Sequence, residues 1–192
     1  MADDPIRQFQ DWFEAVELAG IEEPNAFVLA TVDGDGRPSA RAVLMKGLTD
    51  EGLVFYTNLE SPKSSDLRDT RLAAATFVWI SVHRQVRFEG TAEQVGDRES
   101  DRYFADRPRG AQIAAHASRQ SNVISSRDVL DASFAEVEAS FGNKEVTRPE
   151  WWGGWLIRPE SVEFWQGRPN RFHDRVRYVM ADGEWKKERL AP

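Results

Sequence analysis

The sequence predicts a mainly β protein with flanking helices, in which antiparallel strands form a closed or partly closed, Greek-key-like barrel. About nine segments have the alternation or the β-branched and aromatic content of short strands, against three or four helical segments. Most of these strands follow one another directly, and strands joined by short turns pair antiparallel. Many short strands favour a barrel over a doubly wound parallel sheet. The 192 residues are expected to form a single domain, residues 1–192.

The first third of the chain is predicted to contain a helix, a hairpin, a strand and a second helix. Apolar residues recur at helical spacing before Gly20, so residues 1–20 are expected to form an N-terminal helix that packs as a lid. Turn residues at 33–36 separate two β-rich stretches, which is typical of a hairpin. Ser61 and Pro62 suit the start of a helix. The expected bounds are a helix at 5–19, strands at 26–32, 39–46 and 53–57, and a helix from 62 to about 69.

The middle of the chain is predicted to hold two longer strands and then helices. A short turn around His83 joins the strands, and Gly90 is expected to mark a bulge in the second one. Asp97 is suited to cap the next helix, which Pro108 ends. The expected bounds are strands at 72–81 and 85–95, helices at 97–106 and 126–141, and a further helical turn at 112–117.

Four closing strands are predicted at 151–157, 161–165, 171–180 and 184–190, with a hairpin turn at 181–183. Alternation along the third of them would place Arg171, His173 and Arg175 on one face. Two guanidinium groups and an imidazole are costly against an apolar core. We therefore expect this face to meet water, or an anion such as a phosphate, or an electron-rich ring.

Composition excludes several classes of function. Lys plus Arg is 25 and Asp plus Glu is 32, so the net charge of −7 argues against a nucleic-acid or anionic-membrane partner. Without cysteine there is no disulfide or thiolate chemistry. The three histidines lack metal-ligand spacing, so no metal site is expected. The start of the chain, residues 1–10, is polar, and we expect a soluble cytoplasmic protein without a membrane segment.

Two segments place basic side chains beside turns or strand ends. Alternation in the strand at 39–46 puts Arg41 on one face and Lys46 on the other, which also suits an edge strand protected by a lysine. The strand that ends near Thr57 leads into a helix start at which free N–H groups, with Lys63, could hold a phosphate. A simple helix cap explains the second pattern equally well.

Three weaker signals lie further along the chain. Gln85 could bond to the edge of a heterocycle, although glutamine is common on exposed strands. Tyr103, Arg107 and Arg109 lie where a helix is expected to end, and the four-residue spacing of Tyr103 and Arg107 brings both to one side, so they could grip a second phosphate. Gln120 and Ser121 belong to a polar loop that is by default solvated.

In this order the segments resemble the pyridoxine (pyridoxamine) 5′-phosphate oxidase family of FMN-dependent enzymes. The resemblance runs from about Pro24 to Pro192, and the ordered set is far more specific than any one motif. The segments that carry it are Arg41-Ala42-Val43-Leu44-Met45-Lys46, Phe55-Tyr56-Thr57-Asn58, Arg84-Gln85-Val86, Tyr103-Phe104 with Arg107-Pro108-Arg109, Arg119-Gln120-Ser121, Trp152-Gly153-Gly154, Val162-Glu163-Phe164-Trp165-Gln166-Gly167, Arg171-Phe172-His173-Asp174-Arg175 and Arg189-Leu190-Ala191-Pro192.

The resemblance implies an FMN-binding split β-barrel and a homodimer with FMN at the subunit interface. It implies that residues 150–192 supply dimerisation and active-site strands. The FMN contacts that it implies for one subunit are Arg41, Ala42, Val43, Leu44, Lys46, Tyr56, Thr57 and Lys63. Those that it implies for the other subunit are Gln85, Gln120, Ser121, Trp165 and Arg175.

The resemblance also implies the reaction, which belongs to vitamin B6 metabolism. Pyridoxine 5′-phosphate or pyridoxamine 5′-phosphate would be oxidised to pyridoxal 5′-phosphate, with oxygen as acceptor and hydrogen peroxide as product. The implied substrate contacts are Lys46, Tyr103 and Arg107 on the phosphate, and Arg171 and His173, the catalytic pair, on the pyridine ring.

Three departures from the family pattern carry expectations of their own. Pro62 stands where the family often has arginine, so one contact to the FMN phosphate is expected to be missing or replaced by backbone N–H groups. Ala111 stands where many members have a serine, which predicts a weaker or rearranged grip on the substrate phosphate. The segment before the first helix is short, so looser closure, or closure by the 5–19 helix, is expected.

Two other functions are compatible with parts of the pattern. A flavin oxidase of the phenazine-biosynthesis branch would act on another aromatic metabolite, but that branch tends to lose the lysine and tyrosine that Lys46 and Tyr103 match. A non-catalytic carrier or sensor of flavin or pyridoxal phosphate would have no use for Arg171 and His173.

Overall fold

The computed structural model describes all 192 residues as a nine-stranded antiparallel sheet with five α-helices. The strands are β1 Ala26–Val32, β2 Pro38–Leu44, β3 Gly47–Thr49, β4 Gly52–Asn58, β5 Leu72–Trp79, β6 Arg84–Gln94, β7 Trp152–Gln166, β8 Asp174–Ala181 and β9 Glu184–Leu190. The helices are α1 Pro5–Leu18, α2 Pro62–Thr70, α3 Asp97–Ala105, α4 Arg109–Ala117 and α5 Arg127–Phe141. None of them combines the length and apolar character that crossing a membrane requires.

The sheet curls into a half-open barrel, as predicted. Its order is β2-β1-β5-β6-β7-β4-β3, and β8 with β9 extends from β7. The chain changes partner just after β2, since the Met45 N–H donates to Asn25 O and the Lys46 N–H donates to Val54 O. Strand β2 itself pairs only with β1, so its other edge stays open.

Along one of its edges, strand β7 pairs first with β4 and then with β8. β6 pairs with it from Trp155 to Gln166, while β4 takes the opposite edge up to Ile157 and β8 takes that edge from Ser161 onward. Two strands had been predicted here, at 151–157 and 161–165, and that prediction was wrong. The 15-residue strand continues through an irregularity at which the register against β6 shifts between Glu89 and Gly90.

The bulge predicted at Gly90 is confirmed by this shift, and the space around the glycine explains it. A Cβ at position 90 would lie 2.1 Å from Arg158 O and 2.8 Å from Glu160 N. Only a residue without a side chain lets β7 pass here, because both close atoms belong to backbone.

Replacing Gly90 with alanine is therefore expected to lower the free energy of unfolding by roughly 2–3 kcal/mol, the cost of forced overpacking. Urea unfolding followed by tryptophan fluorescence measures the change. Gly34→Ala is the matched control, since a Cβ at Gly34 meets no atom within 4 Å. Equal midpoints for the two variants would contradict the steric explanation.

Helix α1 lies on the main core, with its apolar face buried against it and its polar face exposed. Phe9 is fully buried, with ring centroids 4.9 Å from Phe77 and 5.1 Å from Phe88. Trp12 packs edge-on against Phe164, 5.2 Å away. The first residues lie against β8, where the Tyr178 hydroxyl donates to Ala2 O at 2.8 Å. The apolar face of α1 thus fills the barrel.

Several predicted bounds were wrong for local reasons. The short strand β3 was missed, α4 begins at Arg109 instead of 112, and Gly96, not Asp97, occupies the N-cap of α3. Strand β8 begins only at Asp174, because Asn170 and Arg171 adopt left-handed backbone angles in a short 3₁₀ turn, Pro169–Arg171. The alternation predicted for Arg171, His173 and Arg175 therefore does not exist.

Candidate active site

A cleft of about 610 Å³ lies along the open edge of β2. An edge strand presents unpaired backbone N–H and C=O groups, so this wall can bond to a ligand without any side chain. The cleft contains ten of the residues predicted to bind a cofactor. Its lining is Ser39, Ala40, Arg41, Ala42, Val43, Leu44, Lys46, Tyr56, Thr57, Pro62, Lys63, Gln120 and Ser121.

Lys63 gives the cleft a buried positive charge. Its Nζ donates to Gln120 Oε1 at 2.6 Å, to Ser61 Oγ at 3.0 Å and to Thr57 Oγ1 at 3.1 Å. Burial, and secondarily the charge of Arg41, lowers the pKa of Lys63 to about 8. All three acceptors are neutral, so the charge has no bonded carboxylate. Its position in the first turn of α2 adds the field of a helix N-terminus, and the place suits an anion.

Arg41 is held in the cleft by a buried chain of hydrogen bonds. Its Nη1 donates to Thr31 Oγ1 at 2.7 Å, and the Thr31 hydroxyl donates to Asp66 Oδ2 at 2.6 Å. Burial lowers the pKa of Arg41, and the charge of Asp66 opposes that effect. Sequence reasoning missed Thr31 and Asp66. The available signal was the position of Asp66 one turn after Lys63 on α2.

A second cavity of about 300 Å³ adjoins the cleft and shares Tyr56, Thr57 and Gln120 with it. Its polar centre is Arg107, whose guanidinium lies 4.6 Å above the Trp152 ring. Burial lowers the pKa of Arg107, and its Nη1 atom is buried without a hydrogen-bond partner. A buried donor that lacks a partner is costly, so this atom is suited to receive an anionic ligand.

Parallel aromatic rings form one wall beside Arg107. The Tyr56 and Tyr103 rings stack at 4.1 Å with 5° between their planes, and Trp152 stacks on Tyr56 at 5.3 Å. Burial, followed by the charge of Glu99, raises the pKa of Tyr56 to about 12, so its hydroxyl is protonated at neutral pH. Trp152 was part of a matched segment but was not predicted as a site residue.

The remaining predicted residues form a separate group on β6, β7, β8 and the turn that precedes β8, namely Gln85, Trp165, Arg171, His173 and Arg175. Gln85, Trp165 and Arg175 are register neighbours on β6, β7 and β8, so their side chains share one face. The His173 ring centroid lies 4.6 Å from that of Trp165. Neither these residues nor Arg171, which is exposed on its turn, lines the cleft or the second cavity.

Gln120 and Ser121 had been assigned to the partner subunit by the resemblance. In the structure they line the cleft of their own chain, where Gln120 accepts hydrogen bonds from Lys63 and Thr57. Of the two departures near the site, Pro62 lines the cleft, whereas Ala111 lines neither cavity.

A half-open antiparallel barrel with an open strand edge along its cleft defines the class of split β-barrels. A solved structure from Nostoc punctiforme, described as a pyridoxamine 5′-phosphate oxidase-related, FMN binding protein, has this fold. It superposes with a TM-score of 0.79 at 17% identity and covers 100% of both chains. At that identity the likeness concerns the fold alone.

Sequence comparison resolves the family within this class. The family described as Pyridoxamine 5′-phosphate oxidase matches residues 14–141, and the Pyridoxine 5′-phosphate oxidase C-terminal dimerisation region matches residues 152–192. Relatives named pyridoxine/pyridoxamine 5′-phosphate oxidase are 54% identical in Salinibacter ruber, over 100% of this chain and 91% of that protein, and 52% identical in Rubrobacter xylanophilus, over 98% and 87%. The chain belongs to the pyridoxamine 5′-phosphate oxidase family.

PhzG from Burkholderia lata 383 is a further similar structure, solved in complex with tetrahydrophenazine-1-carboxylic acid. It superposes with a TM-score of 0.94 at 30% identity and covers 100% of this chain and 94% of its own. The ligand in that structure carries a carboxylate.

Proposed function

We propose that this chain oxidises pyridoxine 5′-phosphate or pyridoxamine 5′-phosphate to pyridoxal 5′-phosphate, with FMN as cofactor and oxygen as electron acceptor. The observation that carries the proposal is a pair of adjoining anion sites, one at Lys63 and Arg41 and one at Arg107. Two phosphates must be bound at the same time in such a reaction, one on the flavin and one on the substrate. The names of relatives at about half identity over the full chain support the same substrates.

The residues of the cleft fit FMN in charge and in hydrogen-bonding capacity. Lys63 and Arg41 would hold its phosphate, and the open edge of β2 together with Thr57 and Gln120 would bond to its polar groups. When bound, FMN supplies the hydride acceptor and passes the electrons to oxygen, which yields hydrogen peroxide.

The chain's own residues bind and orient the substrate. Arg107 lines the second cavity, Tyr103 stacks on Tyr56 of its wall, and Lys46 lines the adjoining cleft, so the three would anchor a phosphate dianion. Orientation of this kind is worth several kcal/mol of barrier when the reacting atoms are held close together.

Arg171 and His173 would act on the pyridine ring. The Arg168 N–H lies 3.1 Å from His173 Nδ1 and donates to it, so a neutral His173 carries its proton on Nε2. His173 can then donate from Nε2 to an oxygen of the substrate. Arg171 is exposed on its turn, so its guanidinium is accessible to a ligand.

A homodimer accounts for the division of the predicted residues into two groups. The match of residues 152–192 to a dimerisation region supports it, since that range contains Trp165, His173 and Arg175. In this arrangement Gln85, Trp165, His173 and Arg175 of one subunit complete the cleft of the other. A location in the cytoplasm stays a prediction.

The visible spectrum of the purified, desalted protein tests the proposal. A flavin spectrum that bleaches without oxygen on addition of pyridoxine 5′-phosphate, and recovers in air, is the expected result. No flavin, even after FMN is added back, would refute the proposal.

The likeness to PhzG favours one alternative, oxidation of a reduced tricyclic carboxylic acid. A flavin that is bleached by such an acid but not by either phosphorylated vitamer would favour this alternative. A carrier function differs from both because it predicts no hydrogen peroxide in air.

Lys63 predicts how FMN affinity depends on pH. Its pKa of about 8 in the empty protein must rise when a phosphate binds, so binding takes up a proton above that pH. We expect the affinity for FMN to fall by about tenfold per pH unit above pH 8, measured by quenching of flavin fluorescence. In Lys63→Arg the guanidinium stays protonated, so this fall should disappear. An unchanged slope would contradict the assignment.

Lys63 also makes the stability of the empty protein depend on pH, and here a rise in pH has a favourable effect. Its pKa is about 8 when folded and near 10.5 when unfolded, so the unfolded chain binds more protons between these values. The contribution of Lys63 to the free energy of unfolding of the empty protein therefore increases as pH rises through that window. Lys63→Met should be more stable than wild type at pH 7, and the difference should shrink towards pH 10.

A further inference from the structure

Glu163 is a buried carboxylate outside both cavities, with arginines on two sides. It is 4% exposed on β7. Its Oε1 accepts from Arg175 Nε at 2.7 Å, and its Oε2 accepts from Arg175 Nη2 at 3.1 Å and from Arg87 Nη2 at 3.2 Å. A carboxylate is kept charged at such a place only when it is paired, and both of its oxygens are satisfied here.

The guanidinium of Arg175 is fixed from two directions. Glu163 binds its Nε and Nη2 in a bidentate fork, and its Nη1 donates to Ala191 O at 3.0 Å. Three of its five N–H groups are thereby used within the chain. One N–H on Nη1 and one on Nη2 are left, and both are held in a fixed direction before any ligand arrives.

We propose that Glu163 is a positioning residue that holds the free N–H groups of Arg175 towards the flavin in the cleft of the partner subunit. The inference rests on the proposed function, since that function gives Arg175 its ligand. Donors fixed in advance lose little freedom on binding, which strengthens binding without any new contact. The carbonyl of Ala191 holds the Arg175 guanidinium from a second direction, so the backbone at this position also helps to orient it.

The proposal and simple charge attraction predict opposite changes in the affinity for FMN when Glu163 is replaced. Arg87, Glu163 and Arg175 together carry a charge of +1, and Glu163→Gln would raise it to +2. Charge attraction alone predicts that this variant binds the anionic FMN more tightly. Positioning predicts weaker binding, because an amide has one acceptor oxygen and cannot hold the arginine fork.

A matched control is available on the neighbouring strand. Glu89 lies on β6 with its Oε1 3.1 Å from Arg87 Nε, and it makes no contact with Arg175. Glu89→Gln removes the same charge beside the same group. We expect Glu163→Gln to weaken FMN binding by roughly tenfold or more, by analogy with the loss of metal affinity when the hydrogen-bond partners of metal-ligating side chains are removed. Glu89→Gln should leave the affinity unchanged or increase it.

The experiment is a double-mutant cycle on the full chain, with the dissociation constant of FMN measured by fluorescence quenching. In an Arg175→Ala background, Glu163→Gln should change the affinity by less than about twofold, since its effect passes through Arg175. If Glu163→Gln does not fold, Glu163→Asp takes its place in the same cycle. The shorter carboxylate keeps the charge and should weaken binding less.

Each result is decisive. Equal or tighter binding by Glu163→Gln, or a full effect in the Arg175→Ala background, would overturn the inference while the proposed function stands. A wild-type chain that binds no FMN would overturn the proposed function and this inference with it. Weaker binding confined to the background that retains Arg175 supports the inference.

Discussion

Arg107→Met is expected to lower kcat/KM for pyridoxine 5′-phosphate by about 100- to 1000-fold, mainly through KM. The Nη1 atom of Arg107 is buried and unpartnered, and the stacking of its guanidinium on Trp152 fixes its direction. Two charge-assisted hydrogen bonds to a phosphate, at roughly 1.5–3 kcal/mol each, account for a loss of that size. Steady-state production of hydrogen peroxide measures it.

Two controls distinguish loss of phosphate binding from a general loss of stability. Arg109 is two residues away, but its guanidinium donates to the carbonyls of Gly142 and Lys144 at the end of α5. Arg109→Met should therefore cost stability and leave KM unchanged. Pyridoxine without its phosphate should be oxidised equally poorly by wild type and by Arg107→Met. An unchanged KM in Arg107→Met would show that Arg107 does not bind the substrate phosphate.

Arg171→Ala is expected to reduce the rate of flavin reduction by about 100-fold or more while FMN stays bound. Arg171 is exposed on a left-handed turn, so its loss leaves the remaining structure intact. Anaerobic stopped-flow measurement of bleaching gives the rate, and the flavin content after gel filtration reports retention. The expected size is typical for loss of a group that stabilises charge in a transition state.

Arg171→Lys tests whether charge or shape matters, since lysine keeps the charge but not the planar fork. An intermediate rate would show that both contribute. Arg175→Ala should behave in the reverse manner and lose FMN during dialysis. A wild-type rate in Arg171→Ala would exclude Arg171 from the reaction.

Elements defined by local turn chemistry could be predicted from sequence. The bounds of β1 and β9 match the prediction, since each belongs to a hairpin with a clear turn. One element that was wrong, strand β7, depends on a distant partner. Strand β7 continues past Pro159 only because Gly90 of another strand leaves room for it. Pro169-Asn170 is a local signal for the left-handed angle at Asn170, but Arg171 has none in a window that also contains strand-forming residues.

In the site too, some residues could be predicted from the sequence, whereas other contacts arise only from folding. The resemblance collected the residues of the cleft from their order along the chain, and the structure brings ten of them together. The supporting contacts could not be found in that way. Thr31 and Asp66 are 35 residues apart and Glu163 and Arg87 are 76 apart, so only folding places them next to each other.

The sharing of β7 between β4 and β8 has a consequence for how the protein folds during synthesis. Its partners β4 and β6 precede it by a long stretch of chain, so their pairing with β7 contributes many contacts of high sequence separation, which slows folding. Until β7 leaves the ribosome, β4 and β6 present unpaired edges that can join other chains. Chains that stop before Trp152 should therefore aggregate, and demand for chaperones should be greatest just before the last forty or so residues emerge.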